Sequence, residues 1–385
     1  MTAKRVVVIG SGVAGASVAF ALARRGAQVT IVDAAEPAAA TLAGAGIIQP
    51  WGSSVGGPFY ELYAHGADHY PTLLAQLAED GVTDVGFRRS GALIVSGDHH
   101  AIDTAEARVR GRAAEHPIAG EVRRVPADEA QSLFPPLRAG LAGLWIEGAA
   151  RVDGRALRTG LLRAAERHGA RMLTGSATIG VGDAEHPTVR VGTESGIGPD
   201  DVDADVAADA IVVAAGAWTN AVLEPLGAVI GVSPQRGQIT HLGLSGIDTN
   251  GWPSIIPIGG HYLVAFDDSR IVVGATREGG VGFDARVTAG GQREVLDAAL
   301  TTAPALADAT FIETRVGLRP HSDDGVPHIG AVPGHPSVFV ATGFGAGGLT
   351  MGPVVGDLLA SVIADADAAA AEMLAPFAPR LRADG

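Results

Sequence analysis

Six residues near the start of the chain, Gly10-Ser11-Gly12-Val13-Ala14-Gly15, follow the apolar run Arg5 to Ile9 and open an alanine-rich stretch that ends at Arg25. A G-x-G-x-x-G turn between a strand and a helix brings backbone amides and a helix N-terminus up to a pyrophosphate. Gly10 permits the tight turn, Gly12 lets the phosphates approach the backbone, and Gly15 lets the helix pack on the strand. Asp33 ends a second apolar run, Gln28 to Val32, where its carboxylate can accept hydrogen bonds from adenosine ribose hydroxyls and disfavours a 2′-phosphate. The motif alone does not separate NAD from FAD.

A second glycine loop lies near the other end of the chain. Val338 to Ala341 reads as a buried strand, Gly343-Phe344-Gly345-Ala346-Gly347-Gly348 as a turn, and Leu349 to Ile363 as a helix. A helix N-terminus there can face a flavin pyrimidine and stabilise the negative charge of its reduced form. Arg319, between Gly317 and Pro320 after an expected strand, carries a planar fork suited to a carboxylate, with a salt bridge as the bland alternative. Tyr262 opens an expected strand and is either a substrate contact or a packed phenol with a satisfied hydroxyl. Gln49 and Trp51 could line the substrate site, and Trp51 is equally well explained as core or interface. His65 and His69 share a helical face, but no carboxylate spacing completes a zinc site, so no metal is expected.

The elements that must position these groups start with a βαβ unit, Arg5 to Asp33, and hence a parallel sheet. Helices are expected over Phe59 to Asp80, Ile102 to Glu115 and, capped by Asp153, Gly154 to His168. Strands are expected at Phe87 to Val95, Glu121 to Val125, Arg171 to Thr174, Thr188 to Val191 and Ala210 to Ala214, with a polar hairpin region over Gly192 to Asp209. From Ile239 to Thr276 the pattern becomes hairpins, Tyr262 to Phe266 and Arg270 to Gly274 among them, before a helix from Gln292 to Ala303. This predicts an α/β fold. A discontinuous Rossmann-like domain (1–85, 145–228 and 312–385) carries an inserted α+β substrate domain on an antiparallel sheet (86–144 and 229–311).

Composition narrows the chemistry. The 385 residues include 54 glycines and no cysteine, which excludes disulfides, thiolate metal sites, thiol nucleophiles and flavin attachment through sulfur. Lys4 is the single lysine, so Schiff-base chemistry is nearly excluded. A net charge of −14 argues against nucleic acid and anionic membranes as partners. The uncharged run Val6 to Ala23 mimics an export signal, but its glycine pattern and the second strand after it read as nucleotide-binding structure. No integral membrane segment is expected, and the chain reads as soluble and cytoplasmic. Its oligomeric state is left open.

Seven segments in order, the Gly10 to Gly15 turn with Asp33, Ala43-Gly44-Ala45-Gly46-Ile47, Ala214-Ala215-Gly216-Ala217-Trp218, Arg236-Gly237-Gln238, Val273-Gly274-Ala275-Thr276, Gly317-Leu318-Arg319-Pro320 and the Gly343 to Gly348 loop, give the chain a resemblance to a known family. It resembles the FAD-dependent D-amino acid oxidase superfamily in its glycine oxidase, sarcosine oxidase and D-amino acid dehydrogenase branch. The resemblance implies an extended, non-covalent FAD with Gly10, Gly12, Val13, Ala14, Gly15, Asp33 and Ala34 among its contacts. Thr41, Ala45, Gly46, Ile47, Ala177 and Gly216 are implied contacts too, and Phe344, Gly345, Ala346, Gly347, Gly348, Leu349 and Thr350 would line the flavin end. It further implies that Arg319 binds the substrate carboxylate and that Tyr262 matches a substrate-contacting tyrosine.

Two departures bear on the substrate and the electron acceptor. Where glycine oxidase carries a second carboxylate-binding arginine this sequence has Ala346, which puts glycine itself in doubt and suggests a roomier or differently anchored pocket; Arg277 could substitute or be solvated. The lysine of sarcosine oxidases is absent, with Val272 near the corresponding place, which tilts the balance towards a dehydrogenase. The implied activity is oxidation of the Cα–N bond of a D-amino acid or N-substituted glycine by hydride transfer to flavin N5. Oxygen or another acceptor then takes the electrons. The alternatives are a 2-hydroxy acid or other amine dehydrogenase, or a non-catalytic flavoprotein subunit.

Overall fold

The computed structural model describes residues 3–180, 187–192 and 204–382. Val6, Val7, Val8 and Ile9 are all buried, as a parallel strand covered on both faces requires. Arg5–Ile9 pairs in parallel with Gln28–Asp33 on one side and Ala210–Val213 on the other. The six-stranded sheet runs His328–Val332, His335–Thr342, Ala210–Val213, Arg5–Ile9, Gln28–Asp33, Arg171–Thr174, with only the first pair antiparallel. Strand order reverses at Arg5–Ile9, so the crevice at the carboxyl ends opens beside Gly10.

The helix Val13–Arg24 is buried along nearly its whole length, packed against Gly154–Arg167 and Gly348–Asp365. Small residues set the spacing of the second crossing. A Cβ on Gly356 would lie 2.5 Å from that of Ser17, and one on Gly352 would lie 3.1 Å from Val13 Cγ1. Overfilling such a crossing costs about 1–3 kcal/mol. The segment Gly345–Asp365 is long and apolar enough to cross a bilayer, which the sequence reading did not single out. Its most apolar window is 67% buried inside the fold, so that apolarity serves the core. The helix Gly154–Arg167 starts as expected, with the Asp153 carboxylate accepting from the amides of Arg155 and Ala156 at 2.9 and 3.0 Å.

The second sheet has eight strands, in the order Thr310–Ser322, Val232–Gly243, Arg270–Gly274, Tyr262–Phe266, Ser254–Pro257, Ala92–Ser96, Ala142–Ile146, Val122–Val125. It departs from the expected antiparallel sheet in one pair: Ser254–Pro257 runs parallel to Ala92–Ser96, joining segments distant in sequence. The expected strand from Phe87 starts only at Ala92, because Gly91 turns the chain at φ +75° and Phe87 stacks on Tyr70 instead. Arg319 lies within the strand Thr310–Ser322, not after one. Pro320 is tolerated because this is an edge strand, where a missing N–H breaks no inner ladder. That strand pairs with Val232–Gly243, so residues 312–322 share a sheet with the segment 229–311. Most of the hairpin region read over 192–209 lies outside the described residues.

Candidate active site

A cavity of about 980 Å³ extends from the carboxyl ends of the parallel strands onto the eight-stranded sheet. Gly10, Gly12, Val13, Ala14, Asp33 and Ala34 line one end. Thr41, Ala45, Gly46, Ile47, Ala177 and Gly216 line it further along, as do Phe344, Gly345, Ala346, Gly348 and Leu349 from the C-terminal loop. Tyr262 and Arg319 complete the set. Three residues expected at the cofactor stand behind the wall. Gly15 backs the turn, its absent Cβ leaving room for Gly10 O, which would otherwise lie 1.9 Å away. Thr350 is buried and donates its hydroxyl to Ile47 O at 3.3 Å, and Gly347 makes space for Met351 Cε.

At the first end the polar groups are held by the chain itself. Gly10 turns at φ +97° with its amide on Val32 O at 2.8 Å, so close to Ala214 that a Cβ would meet Ala214 O at 2.5 Å. The Asp33 carboxylate accepts from the Ser11 amide and hydroxyl and from the Ala35 amide, at 2.5 to 2.6 Å. Thr41 accepts from the Val13 amide at 2.9 Å. The helix N-termini at Val13 and at Gly348 both border the cavity, where their amides and dipoles suit a pyrophosphate and an electron-rich ring.

The other end is built from facing strands. Gly237 and Gly317 are direct partners across Val232–Gly243 and Thr310–Ser322. The Arg319 guanidinium lies over the bare backbone of Gly237, where a Cβ would meet its atoms at 2.3–2.4 Å. Arg319 Nη1 donates to Thr276 O at 3.0 Å, and among the described residues no carboxylate pairs with it. The salt-bridge alternative therefore falls away. Burial pulls the Arg319 pKa below its ordinary value, Tyr262 opposes this, and Arg277 adds to it. Tyr262 sits opposite Gly274, whose missing side chain leaves 3.2 Å between a notional Cβ and the hydroxyl. Burial pushes that hydroxyl above its ordinary pKa, against the pull of Arg319 and Arg277, so it remains a protonated donor at neutral pH.

The segment carrying Thr276 and Arg277 is pinned from behind. Glu278 accepts from Arg236 at 2.6 Å, Gln238 at 2.7 Å and Thr276 at 2.7 Å. Burial would raise the carboxyl's pKa, but these bonds hold it below the usual range. The Arg236-Gly237-Gln238 motif thus places the site in two ways, through Glu278 and through the gap at Gly237.

Arg277 borders the cavity and has no ion pair among the described residues. Val272, by contrast, packs with Ala45, Ile239 and Val264 and does not line the cavity. Trp51 is a core side chain outside the lining, whereas Gln49 is in it. Sequence reasoning missed Arg108 and the Ile256–His261 stretch, which also line the cavity. Arg108 belongs to an arginine-rich helix, His99–Glu115, that reads as solvated surface. The available signal was the i, i+4 pair Arg108 and Arg112, with no acid at i±4 of either residue.

Residues 5–362 match the sequence profile of the FAD dependent oxidoreductase family. The chain belongs to that family. This FAD-dependent oxidoreductase is 44% identical to the uncharacterized oxidoreductase YurR of Bacillus subtilis (strain 168), covering 94% of the present chain and 95% of that one. It is 31% identical to the glycine oxidase of Pseudomonas aeruginosa, covering 94% of each. Its structure is similar to the crystal structure of iminodiacetate oxidase (IdaA) from Chelativorans sp. BNC1. That match has 46% identity and a TM-score of 0.90, and it covers 97% of this chain and 99% of the other. The Gly10–Asp33 turn, the two helix N-termini and the volume of the cavity fit an FAD, and Arg319 and Tyr262 line the same cavity.

Proposed function

We propose that this flavoenzyme oxidises the Cα–N bond of an amino acid, either an N-substituted glycine or a D-amino acid, to an imine that water then hydrolyses. The observation that carries the reading is the state of Arg319: a half-buried guanidinium that borders the cavity, gives a hydrogen bond to Thr276 O at 3.0 Å and has no carboxylate partner among the described residues. A buried cation left unpaired is costly, so its natural partner is an anion that arrives from outside. The Arg319 fork takes the substrate carboxylate bidentately, and the Tyr262 hydroxyl donates a further hydrogen bond to it. Two fixed contacts at the carboxylate leave Cα one orientation, which converts binding into alignment. The small residues Gly274, Gly345 and Ala346 also line the cavity. FAD, when bound, supplies the two-electron oxidation by accepting hydride. For R–NH–CH2–COO⁻ the products after hydrolysis are R–NH2 and glyoxylate. The closeness to a glycine oxidase and an iminodiacetate oxidase supports this assignment over other carboxylates.

Anaerobic mixing of the FAD-loaded protein with N-substituted glycines, D- and L-amino acids and matching 2-hydroxy acids tests it. Bleaching of the flavin by an amine, with one equivalent of 2-oxo acid released, is the expected result. Bleaching by hydroxy acids alone, or by none of the panel, would overturn it.

A further inference from the structure

The same cavity holds a second cationic corner that the chemistry at Arg319 does not use. Gln49, Gly52, Ser53, Ser54 and Arg108 line it. Gln49 is 5% exposed, and its Nε2 has no hydrogen-bond partner among the described residues; Arg108 Nε is likewise buried and unpartnered. Both border Gly52: Arg108 Nη2 donates to Gly52 O at 3.2 Å, and a Cβ on Gly52 would lie 2.3 Å from Gln49 Nε2. One helical turn on, Arg112 donates to Trp51 O and Ser53 O and lies 3.7 Å above the Tyr60 ring. Burial, with a smaller push from Arg108, pulls the Arg112 pKa down, and Tyr60 and Glu61 oppose it. Neither guanidinium has a carboxylate at ion-pair distance among the described residues, although the chain carries a net charge of −14. Glu294, an acid that also lines the cavity, is engaged by His261 at 3.1 Å.

An orphaned buried donor is costly unless something accepts from it. Two such donors on one corner, beside a second guanidinium, specify an anionic acceptor. We infer that Gln49 and Arg108 form a subsite for a second carboxylate, so that the preferred substrate is a secondary amine bearing a carboxylate on each arm. The assignment rests on the amine-oxidation reading above: Arg319 holds the carboxylate of the arm that is oxidised, and Arg108 with Gln49 holds the carboxylate of the arm that leaves with the amine. It also supplies a role for the room that Ala346 leaves.

The test compares iminodiacetate with N-methylglycine, which lacks the second carboxylate, on the FAD-loaded enzyme. Arg108→Gln is expected to reduce kcat/KM for iminodiacetate ten- to a hundredfold more than for N-methylglycine, chiefly through KM. Gln49→Met is expected to shift the same ratio three- to tenfold, and it keeps the test open if Arg108→Gln fails to fold. Thiodiacetate, a sulfide isostere with no Cα–N bond, serves as the binding probe, read as a perturbation of the flavin spectrum. Its Kd should rise by the same factor in Arg108→Gln. Equal losses on both substrates, no loss on either, or a shift in the ratio produced by Arg277→Gln alone would overturn the subsite. If thiodiacetate binding depends on Arg108 while neither amine bleaches the flavin, the subsite stands and the amine-oxidation reading falls. If both amines bleach it with a ratio that Arg108→Gln leaves unmoved, the reverse holds.

Discussion

Around Gly10 and Asp33 the cavity wall is finished by the chain itself: the Asp33 carboxylate holds Ser11 and Ala35, and Thr41 holds Val13. Around Arg319 the wall is left electrically open, with Arg319, Arg277 and Arg108 all bordering the cavity and none in an ion pair among the described residues. The first end is backbone, shaped by glycines and contiguous in sequence. The second is side chains brought together from strands and a helix far apart in the chain. A resident cofactor needs a rigid, pre-satisfied shape, since it does not leave between turnovers. A substrate that comes and goes needs charges held open for it, and the fold bears the cost of leaving them unpaired.

The sharpest way to break the first half of this contrast is Gly15→Ala. Its Cβ would lie 1.9 Å from Gly10 O, a backbone atom that cannot swing away, so the turn must deform. FAD affinity should fall by roughly 10³-fold, about 4 kcal/mol, and the purified variant should be nearly colourless. Retention of flavin at the parental ratio would mean that the turn does not shape the cofactor site. Asp33→Ala should act less strongly, weakening FAD by about 1.5–3 kcal/mol, or about 10- to 150-fold, in titrations of apoprotein. An unchanged Kd would remove Asp33 from the ribose.

At the other end, Gly237→Ala meets only the tip of a flexible side chain, so folding should survive while the Arg319 guanidinium is displaced. FAD content should stay near parental and kcat/KM should drop about tenfold or somewhat more, a small misalignment being enough for that. If instead flavin is lost and substrate kinetics are spared, the division between the two ends is wrong. Tyr262→Phe is the mildest of the set. Deleting one hydrogen bond to a charged group costs about 1.5 kcal/mol, so KM should rise about tenfold with kcat little altered.

The same contrast explains what could be read from the sequence. Arg5 to Asp33 was legible because strand, turn, helix and acid are consecutive, and the chemistry is done by glycine backbone with a fixed spacing. The hairpin Tyr262–Phe266 to Arg270–Gly274 was legible for a similar local reason, its turn signalled by Asp267-Asp268-Ser269. Arg319 was singled out by residue type, but its setting within a strand was not legible: Pro320 reads as a break, and only the edge position of Thr310–Ser322 makes it harmless. The gap at Gly237 that receives the guanidinium depends on cross-strand register, which no local pattern encodes. Arg108 was lost among arginines that look solvated, because its cavity-facing role depends on the loop at Gly52 folding back to it. The parallel pair Ser254–Pro257 with Ala92–Ser96 escaped for the same long-range reason.

The central claim is that Arg319 turns a carboxylate into an alignment device for the bond being oxidised. Stopped-flow flavin reduction under anaerobic conditions, with the best amine of the panel, measures it on the parent, Arg319→Ala and Arg319→Lys. Removing the guanidinium leaves a carboxylate unpaired in a partly dry site, at roughly 3–5 kcal/mol. The efficiency of flavin reduction should therefore fall ~10²- to 10⁴-fold in Arg319→Ala, with little recovered by lysine, which lacks the planar fork. FAD content should remain near that of the parent. Near-parental reduction in Arg319→Ala would contradict the account.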